Sequence, residues 1–506
     1  MTRWPLSYLP ALVVALVAVL PVAVLFNLAG SPQELFDTRN LALVLDTLLL
    51  TGFTALGAVL IGVPLALLTA WVRLPLGRLW LIVLAAPLAL PSYIGAFTVY
   101  AAFGPGGEIE NVFGLTTPSA RGLAGASVVM ALYTYPFVLL TTRAALLGQD
   151  ASLIQAARTL GLGLPQCLWR VVLPRAVNGI AAGALLAALY ALSDFGTPAI
   201  MGVDTFTRMI YVEYNAFGLS QAAMLSLQLL AIVGLVLYLE SRVAVTRERP
   251  GRSLTLWPGR WQVALLLLGV APVVLLALGL PLAVFGLWLV RDGSGGFDPV
   301  TAWHSIQASL LAAAIVVVPA FPVAWAAMQG RLGQLMERVT YLGFGIPGIV
   351  MGTALVYLGL KLSFLYQTLA LLVAAYVLRF LPLAVGSIRA TAETLDASLV
   401  NAARVLGAGP AEVFRRITLP LTRRGMIAGA ALVFLEAMRE LPATLLLAPT
   451  DFETLATYLW RVYEAGYFGR AAVPGLLLIL VSGFGLALML AGERRAEFGV
   501  FGDNRA

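Results

Sequence analysis

The chain has 506 residues, of which 60% are hydrophobic and only 11% are charged, and its mean hydropathy is +0.92. This composition leaves too little polar surface to cover a soluble globule, so it indicates a membrane protein. One cysteine and one histidine exclude an intramolecular disulfide and leave no His/Cys cluster for a structural metal. The net charge of +7 needs no nucleic-acid partner, because basic residues accumulate on the cytoplasmic side of membrane proteins.

Apolar runs of about 20 residues, long enough to cross a bilayer as helices, follow one another along the chain. They lack the alternation of a membrane β-barrel. The first run is too long for the core of a signal peptide, so we expect it to be the first span. Hydropathy predicts about twelve transmembrane helices, near residues 9–29, 41–72, 79–103, 121–147, 177–201, 218–240, 262–290, 303–328, 339–360, 366–390, 425–449 and 471–492.

The distribution of arginine orients these spans. With a cytoplasmic N-terminus, most of the 32 basic residues fall in cytoplasmic segments, as the preference of positive charge for that side requires. We therefore expect an all-α integral protein of the cell (inner) membrane, multi-pass, with both termini in the cytoplasm.

The second half of the chain repeats the first. Residues 150–186 match residues 396–432 at nearly half of their positions. Six spans per repeat give both copies the same orientation, so we expect two parallel six-helix repeats with a substrate path on their shared axis. The predicted organisation is a first domain at 1–240, a basic cytoplasmic linker at 241–260, a second domain at 261–492 and a cytoplasmic tail at 493–506.

The best-matched segments are two polar loops, "QDASLIQAARTLGLGLPQCLWRVVLP" at 149–174 and "LDASLVNAARVLGAGPAEVFRRITLP" at 395–420. Each predicts a short helix that begins at an Asp/Ser cap and stops at Gly161 or Gly407. A second helix is expected to begin near Pro165 or Pro410 and to end before the Leu-Pro pair. One copy alone would suit an amphipathic hairpin lying on lipid headgroups, whereas two matching copies favour docking of a symmetric partner.

Both loops resemble the signature of the membrane subunits of ATP-binding cassette importers, in which an E-A-A triplet is followed by three residues, Gly, nine residues and I-x-L-P. Gln155 and Asn401 stand where that family has an acid, so an amide replaces a carboxylate at both places. The resemblance implies that a coupling role belongs to Gln155, Ala156, Ala157, Arg158, Gly161, Leu173, Pro174, Asn401, Ala402, Ala403, Arg404, Gly407, Leu419 and Pro420.

The resemblance also implies the fold and the partners. The fold is that of type I importer permeases, and transport proceeds by alternating access. A homodimer of a cytoplasmic ATPase, which carries ATP and Mg²⁺, docks on the two loops, and an external or periplasmic binding protein delivers the substrate. The sequence contains no G-x-x-x-x-G-K-[ST] phosphate loop, so we expect this chain to be no enzyme and to hold no cofactor itself.

Charged residues inside spans are candidates for the translocation path, because a charge in the bilayer is costly. Helix five carries Asp194, and helix eleven carries Glu436, Arg439 and Glu440 on one predicted face. Carboxylate oxygens suit a hard cation, and Asp46 and His304 could extend such a path. Alternatively, Arg439 neutralises the glutamates and His304 is a hydrogen-bonded structural group. Arg379 is expected to pair with one of the acids.

The segments "LSDFGTPAIMGVDTFTRMIY" (192–211) and "MRELPATLLLAPTDFETLATYLW" (438–460) resemble those of fused ferric-iron permeases, which implies ferric iron as the substrate. An importer for thiamine, polyamine or an oxyanion remains an alternative. A twelve-span secondary transporter would share the topology but needs no duplicated cytoplasmic loop. An integral membrane enzyme is not supported, because the sequence offers no pair of a nucleophile and a base for catalysis.

Overall fold

Helices form nearly all the regular structure of the computed structural model, which describes residues 8–29, 38–243, 254–395 and 397–485. The first half contains α1 Tyr8–Leu28, α2 Thr38–Trp71, α3 Gly77–Ala85, α4 Ser92–Ala102, α5 Glu108–Phe113, α6 Leu123–Leu147, α7 Ala151–Thr159, α8 Leu164–Cys167, α9 Leu173–Ser193, α10 Gly196–Met201, α11 Phe206–Asn215 and α12 Leu219–Arg242.

The second half repeats this order after a two-part leading helix. It contains α13 Arg260–Val274, α14 Leu280–Asp292, α15 Pro299–Gln329, α16 Arg331–Gly345, α17 Gly348–Lys361, α18 Leu369–Ala392, α19 Ala397–Val405, α20 Pro410–Val413, α21 Leu419–Met438, α22 Pro442–Leu447, α23 Leu455–Glu464 and α24 Phe468–Gly485.

Within the described residues, ten helices are long and apolar enough to cross a membrane. An eleventh candidate is the pair formed by residues 77–89 and α4, which is bent by 88°. Its mate in the second half is the pair α16 and α17, interrupted at Ile346 and Pro347. The prediction of an all-α membrane protein is thereby confirmed, with ten candidate spans, or eleven with the bent pair, in the described residues where about twelve were predicted.

The predicted spans at 177–201 and 425–449 are wrong as continuous helices. The first ends at Ser193 and the second at Met438, and a short helix follows each break. Pro198 and Pro442 explain both breaks, because proline has no N–H for the carbonyl four residues earlier and its ring clashes with that carbonyl. Those carbonyls belong to Asp194 and Met438.

The second helix of each loop was expected to end before Leu173-Pro174 or Leu419-Pro420, and this expectation is also wrong. A single helix runs on through the prolines, because a π-helical turn precedes each of them, at Leu168–Val172 and Phe414–Thr418. The wider turn bonds the N–H of Leu173 to the carbonyl of Leu168, five residues back. A π-turn thereby lets proline enter a helix without breaking it.

The chain folds into two compact units, each built from separate stretches of sequence. Among the described residues, one comprises those within 8–29, 210–227 and 297–464; the other comprises those within 38–209, 228–296 and 465–485. The leading helix α1 thus belongs with α15 to α18 of the second repeat, and α13 and α14 belong with the first repeat. Compact units and sequence repeats are different divisions of the chain, and the predicted domain boundaries stay a prediction.

Each unit is built on the same trio of packed helices, α2, α6 and α9 in one and α15, α18 and α21 in the other. Close packing within each trio depends on a G-x-x-x-G pair, Gly179 with Gly183 on α9 and Gly425 with Gly429 on α21. A Cβ on Gly183 would lie 2.5 Å from the Cα of Val138, and one on Gly429 would lie 2.8 Å from the Cα of Ala384. The repeat read from the sequence is therefore also a repeat of packing.

Candidate functional site

The first polar loop folds as predicted up to its glycine. Asp150 caps α7 by accepting a hydrogen bond of 3.0 Å from the backbone N–H of Ser152, and this bond lowers the pKa of the Asp150 carboxyl. Ile154 and Ala157 are buried in a hydrophobic cluster, whereas Gln155, Ala156 and Arg158 are exposed. One face of α7 therefore holds the loop to its unit and the other faces outward.

Both loop helices stop in the same way. Gly161 has φ +88° and Gly407 has φ +85°, and neither has an atom within 4 Å of an added Cβ. The next N–H reaches back five residues, from Leu162 to the carbonyl of Ala157 at 3.2 Å and from Ala408 to that of Ala403 at 3.0 Å. This is a Schellman ending, which requires the left-handed conformation that glycine adopts without strain.

The second loop presents a similar surface. Ala402 is exposed and Ala403 is half-buried. The cap residue Asp396, and the side chains of Asn401 and Arg404, lie outside the described residues.

Sequence reasoning missed a pair of highly exposed apolar residues in the loops. Leu160 and Leu406, each directly before the terminal glycine, are 85% and 86% exposed. The two loops therefore present the same exposed apolar side chain at equivalent places. The signal was present in the sequence as the Leu-Gly pair that both loops contain.

Leu173-Pro174 and Leu419-Pro420 do not lie on these exposed turns. They form the first turn of α9 and α21, directly after the π-turns. The structure therefore separates each predicted set into an outward-facing helix and a stiff connection to the membrane helix that follows it.

Asp194 lies at the end of α9 and is half-buried. Its carboxylate accepts a hydrogen bond of 2.8 Å from the hydroxyl of Ser92 and one of 3.4 Å from the N–H of Thr197. Its backbone carbonyl accepts the hydroxyl of Thr207 at 2.8 Å. Within the described residues, no ion pair to Asp194 is found, so hydrogen-bond donors rather than a cation hold this carboxylate.

Glu440, the repeat mate of Asp194, is held differently. It is 7% exposed and forms an ion pair of 3.5 Å with Arg379 of α18, which confirms the expected role of that arginine. Its other oxygen accepts the N–H of Ala443 at 3.1 Å. Gly348 makes room for the pair, since a Cβ there would lie 2.4 Å from the Glu440 carboxylate and 2.6 Å from the Arg379 guanidinium.

Arg439 pairs with Glu436 through two of its nitrogens, Nε to Oε2 at 3.1 Å and Nη2 to Oε1. Because α21 ends at Met438, Glu440 lies beyond the helix. The expected single helix face for Glu436, Arg439 and Glu440 is therefore wrong.

Asp46 and His304 belong to different units. Asp46 is half-buried on α2. The His304 ring stacks on Phe452 with centroids 4.3 Å apart, and its Nδ1 lies 3.2 Å from the carbonyl of Glu453. These contacts favour the structural alternative for the histidine.

A feature absent from the predicted site is an aromatic contact between α11 and α23. The ring of Tyr211 meets that of Trp460 edge-on with centroids 5.9 Å apart, and Trp460 also contacts Tyr463 at 5.6 Å. In the repeat, α11 and α23 occupy matching places. Only the fold shows that these particular rings meet.

No group of three or more His, Cys, Asp or Glu side chains that could hold a metal ion occurs in the described part of the chain. The described acids of the predicted path thus do not cluster: Asp194 accepts hydrogen bonds, and Glu436 and Glu440 each pair with an arginine.

Comparison with known proteins places these features in context. The family described as binding-protein-dependent transport system inner membrane component matches the chain twice, over residues 58–245 and 320–497. Among similar proteins, the Fe(3+)-transport system permease protein FbpB 2 of Haemophilus influenzae is 30% identical over 483 residues, which cover 92% of each chain.

Two further similarities differ in extent. The ferric transport system permease protein FbpB of Actinobacillus pleuropneumoniae is 22% identical over 86% of this chain and 69% of its own length. The molybdenum transport system permease protein ModB of Escherichia coli is 30% identical over 233 residues, which are 44% of this chain and 90% of its own.

Proposed function

The chain belongs to the family of binding-protein-dependent transport system inner membrane components, and we propose that the substrate it carries is ferric iron. It is the multi-pass permease subunit of an ATP-binding cassette importer, with the two permease repeats fused in one chain. One observation carries the choice of substrate: the similarity to a Fe(3+)-transport permease extends over 92% of both chains.

The partners follow from the family and from the loops. The family's dependence on a binding protein supports delivery of the substrate from outside the cell. We propose that a homodimer of a separate ATPase, which holds ATP and Mg²⁺, docks on the two loops. Support comes from the matched exposure of Ala156 with Ala402 and of Leu160 with Leu406, since two copies of one partner need two equivalent surfaces.

The proposed mechanism is alternating access. Movement of the ATPase subunits on ATP binding displaces α7 and α19, and the continuous helix that follows each loop transmits the displacement into the membrane. The π-turns support this role, because they keep α9 and α21 joined to the loops through Pro174 and Pro420. With the loops in the cytoplasm, both termini are cytoplasmic as well.

Along the path, we assign Asp194 a larger role than Glu440. The Asp194 carboxylate is held by a hydroxyl and a backbone N–H, so its negative charge remains available to a cation. The charge of Glu440 is compensated by Arg379. Isolated carboxylates of this kind can attract Fe³⁺ without trapping it.

An oxyanion importer is the second candidate, because molybdenum permeases match nearly half of the chain. Uptake into proteoliposomes that contain this chain, its ATPase and its binding protein separates the two. We expect ATP-dependent uptake of radioactive ferric iron that excess molybdate and sulfate leave unchanged. Uptake of molybdate in place of iron, with the same ATP dependence, would show that the assigned substrate is wrong and the importer class is right.

A further inference from the structure

From residue 254 on, the linker between the repeats folds back onto the membrane boundary of its unit. Leu256 forms a parallel bridge with Val72, its N–H donating to the carbonyl of Trp71 at 2.6 Å and its carbonyl accepting the N–H of Arg73 at 3.1 Å. Leu254 packs against the hydrophobic cluster that also holds Ile154 of the first loop. Residues 254–261 are therefore an ordered strap, which we call the linker strap.

Three span ends meet at the linker strap. The candidate span Asn40–Trp71 ends there, the bent pair begins at Gly77, and the span Arg260–Asp292 begins at the strap's own end. The strap and the turn it covers consequently lie at the level where hydrocarbon gives way to headgroups.

The side chains at this boundary are tryptophan and arginine. Trp257 and Trp261 are 71% and 85% exposed, and indole rings favour the headgroup level of a membrane. The guanidinium of Arg73 lies 4.1 Å above the ring of Trp257, which holds both groups in place. Arg78 and Arg260 are also exposed.

No acid on these segments neutralises the arginines. Residues 71–80 and 254–262 contain three arginines and no acidic residue. The corresponding turn of the second repeat, at residues 330–338, differs: it contains an acid, Glu337, which pairs with Arg389. Within the part of the chain that the structure describes, no salt bridge to Arg73, Arg78 or Arg260 is found, and these arginines beside exposed indole rings distinguish the linker strap from the turn at 330–338.

We propose that the linker strap and the turn at 73–78 form a binding site for an anionic phospholipid headgroup. The phosphate binds Arg73, Arg78 and Arg260, while Trp257 and Trp261 lie beside the upper part of the acyl chains. Because Leu254 and Ile154 share one hydrophobic cluster, the bound lipid stabilises the base of the first loop. The site shares no residue with the proposed substrate path or with the predicted coupling residues of the loops.

The test uses the full chain purified in neutral detergent and titrated with phosphatidylglycerol or phosphatidylcholine, with bound lipid counted by native mass spectrometry. Each arginine near an anionic surface strengthens binding by about five-fold. We therefore expect the variant Arg73→Gln/Arg78→Gln/Arg260→Gln to bind phosphatidylglycerol about a hundred-fold more weakly than the unmodified chain. Phosphatidylcholine binding stays unchanged.

The matched control is Arg331→Gln/Arg338→Gln at the equivalent boundary, which is expected to keep the preference for phosphatidylglycerol. The charge-preserving variant Arg73→Lys/Arg78→Lys/Arg260→Lys is expected to keep most of it. Equal binding of the two lipids by the unmodified chain, or an equal loss in the control, overturns the proposal.

A second measurement does not depend on the folding of the glutamine variant. Phosphatidylglycerol brominated in its acyl chains should quench the tryptophan fluorescence of the unmodified chain at lower concentration than brominated phosphatidylcholine, and the difference should shrink in Trp257→Phe/Trp261→Phe. Identical quenching by the two lipids contradicts the proposal. If the glutamine variant binds both lipids normally but fails to bind the ATPase, the surface is a protein interface and the lipid assignment is wrong.

Discussion

The ion pair between Arg379 and Glu440 is a buried charged contact of the proposed path. Their side chains are 14% and 7% exposed, and at position 348 only glycine leaves space for them. Removing one partner of a buried pair strands the other charge, which typically costs about 3–5 kcal/mol.

Glu440→Leu and Arg379→Met should therefore each lower the melting temperature of the purified chain substantially. The double variant Arg379→Met/Glu440→Leu should recover much of the loss, because it removes both charges and keeps apolar volume. Thermal unfolding monitored by intrinsic fluorescence measures all three. Strictly additive losses in the double variant would show that the two charges do not interact.

Asp194 leads to a different prediction. Asp194→Asn keeps the size of the side chain and an oxygen that can accept the same hydrogen bonds, but it removes the charge. We expect iron uptake in proteoliposomes to fall about ten-fold or more while the melting temperature changes little, because an uncharged amide attracts Fe³⁺ far more weakly than a carboxylate.

The control for that experiment is Asp451→Asn, at an exposed acid whose positive φ of 61° asparagine also tolerates. It should leave uptake unchanged. Normal uptake by Asp194→Asn would remove this carboxylate from the path.

The helices α7 and α19 end in the same way, each at a glycine. The backbone conformation alone requires glycine at both positions. Gly161 and Gly407 have positive φ and open space around them, so a larger side chain meets no atom but must adopt a left-handed backbone. That conformation costs a non-glycine residue roughly 1–2 kcal/mol.

Gly161→Val/Gly407→Val should accordingly distort the end of each loop helix and uncouple transport: the complex hydrolyses ATP, but iron uptake per ATP falls several-fold. Gly163→Val/Gly409→Val is the matched control, since neither of these glycines has a positive φ. The ratio of uptake to hydrolysis in proteoliposomes is the measurement. An unaltered ratio in the first variant would contradict the coupling assignment.

The ends of the helices show which features a local sequence pattern predicts correctly. The Asp150 cap and both glycine endings were predicted correctly, because they depend on neighbouring residues. Two other predictions were wrong. The sequence predicted continuous spans where the helices break after Ser193 and Met438, and it predicted helix ends where the helices continue through Pro174 and Pro420. Proline excludes one hydrogen bond, but only the surrounding packing decides whether the chain breaks or widens into a π-turn.

For the whole molecule, the proposed orientation places the loops in the cytoplasm and the turn between α11 and α12 outside. Cys167 is buried and is the only cysteine, so Cys167→Ala provides a background for labelling. In that background, Trp169→Cys on the first loop and Phe217→Cys on the outer turn replace side chains that are 71% and 93% exposed.

A membrane-impermeant maleimide is added to cells whose outer membrane has been permeabilised and whose inner membrane is intact. It should label the cysteine at 217 and not the one at 169. Inverted membrane vesicles should give the reverse pattern. Labelling of both from one side would contradict the orientation.

The sequence by itself determined the membrane class, the duplication and the two polar loops. Hydropathy is summed over a stretch of residues, and a repeated motif or a helix cap depends on residues that are neighbours in the sequence. Tertiary structure decided which charges pair and which segments fold back. Glu440 could have paired with Arg439 one residue away, but the helix end turns it toward Arg379 on another helix. The sequence of the linker indicates only a basic spacer. In the structure, the backbone of Leu256 is hydrogen-bonded to Trp71 and Arg73, which makes part of the linker an ordered strap. Such pairings depend on distances in space, which a single sequence does not specify.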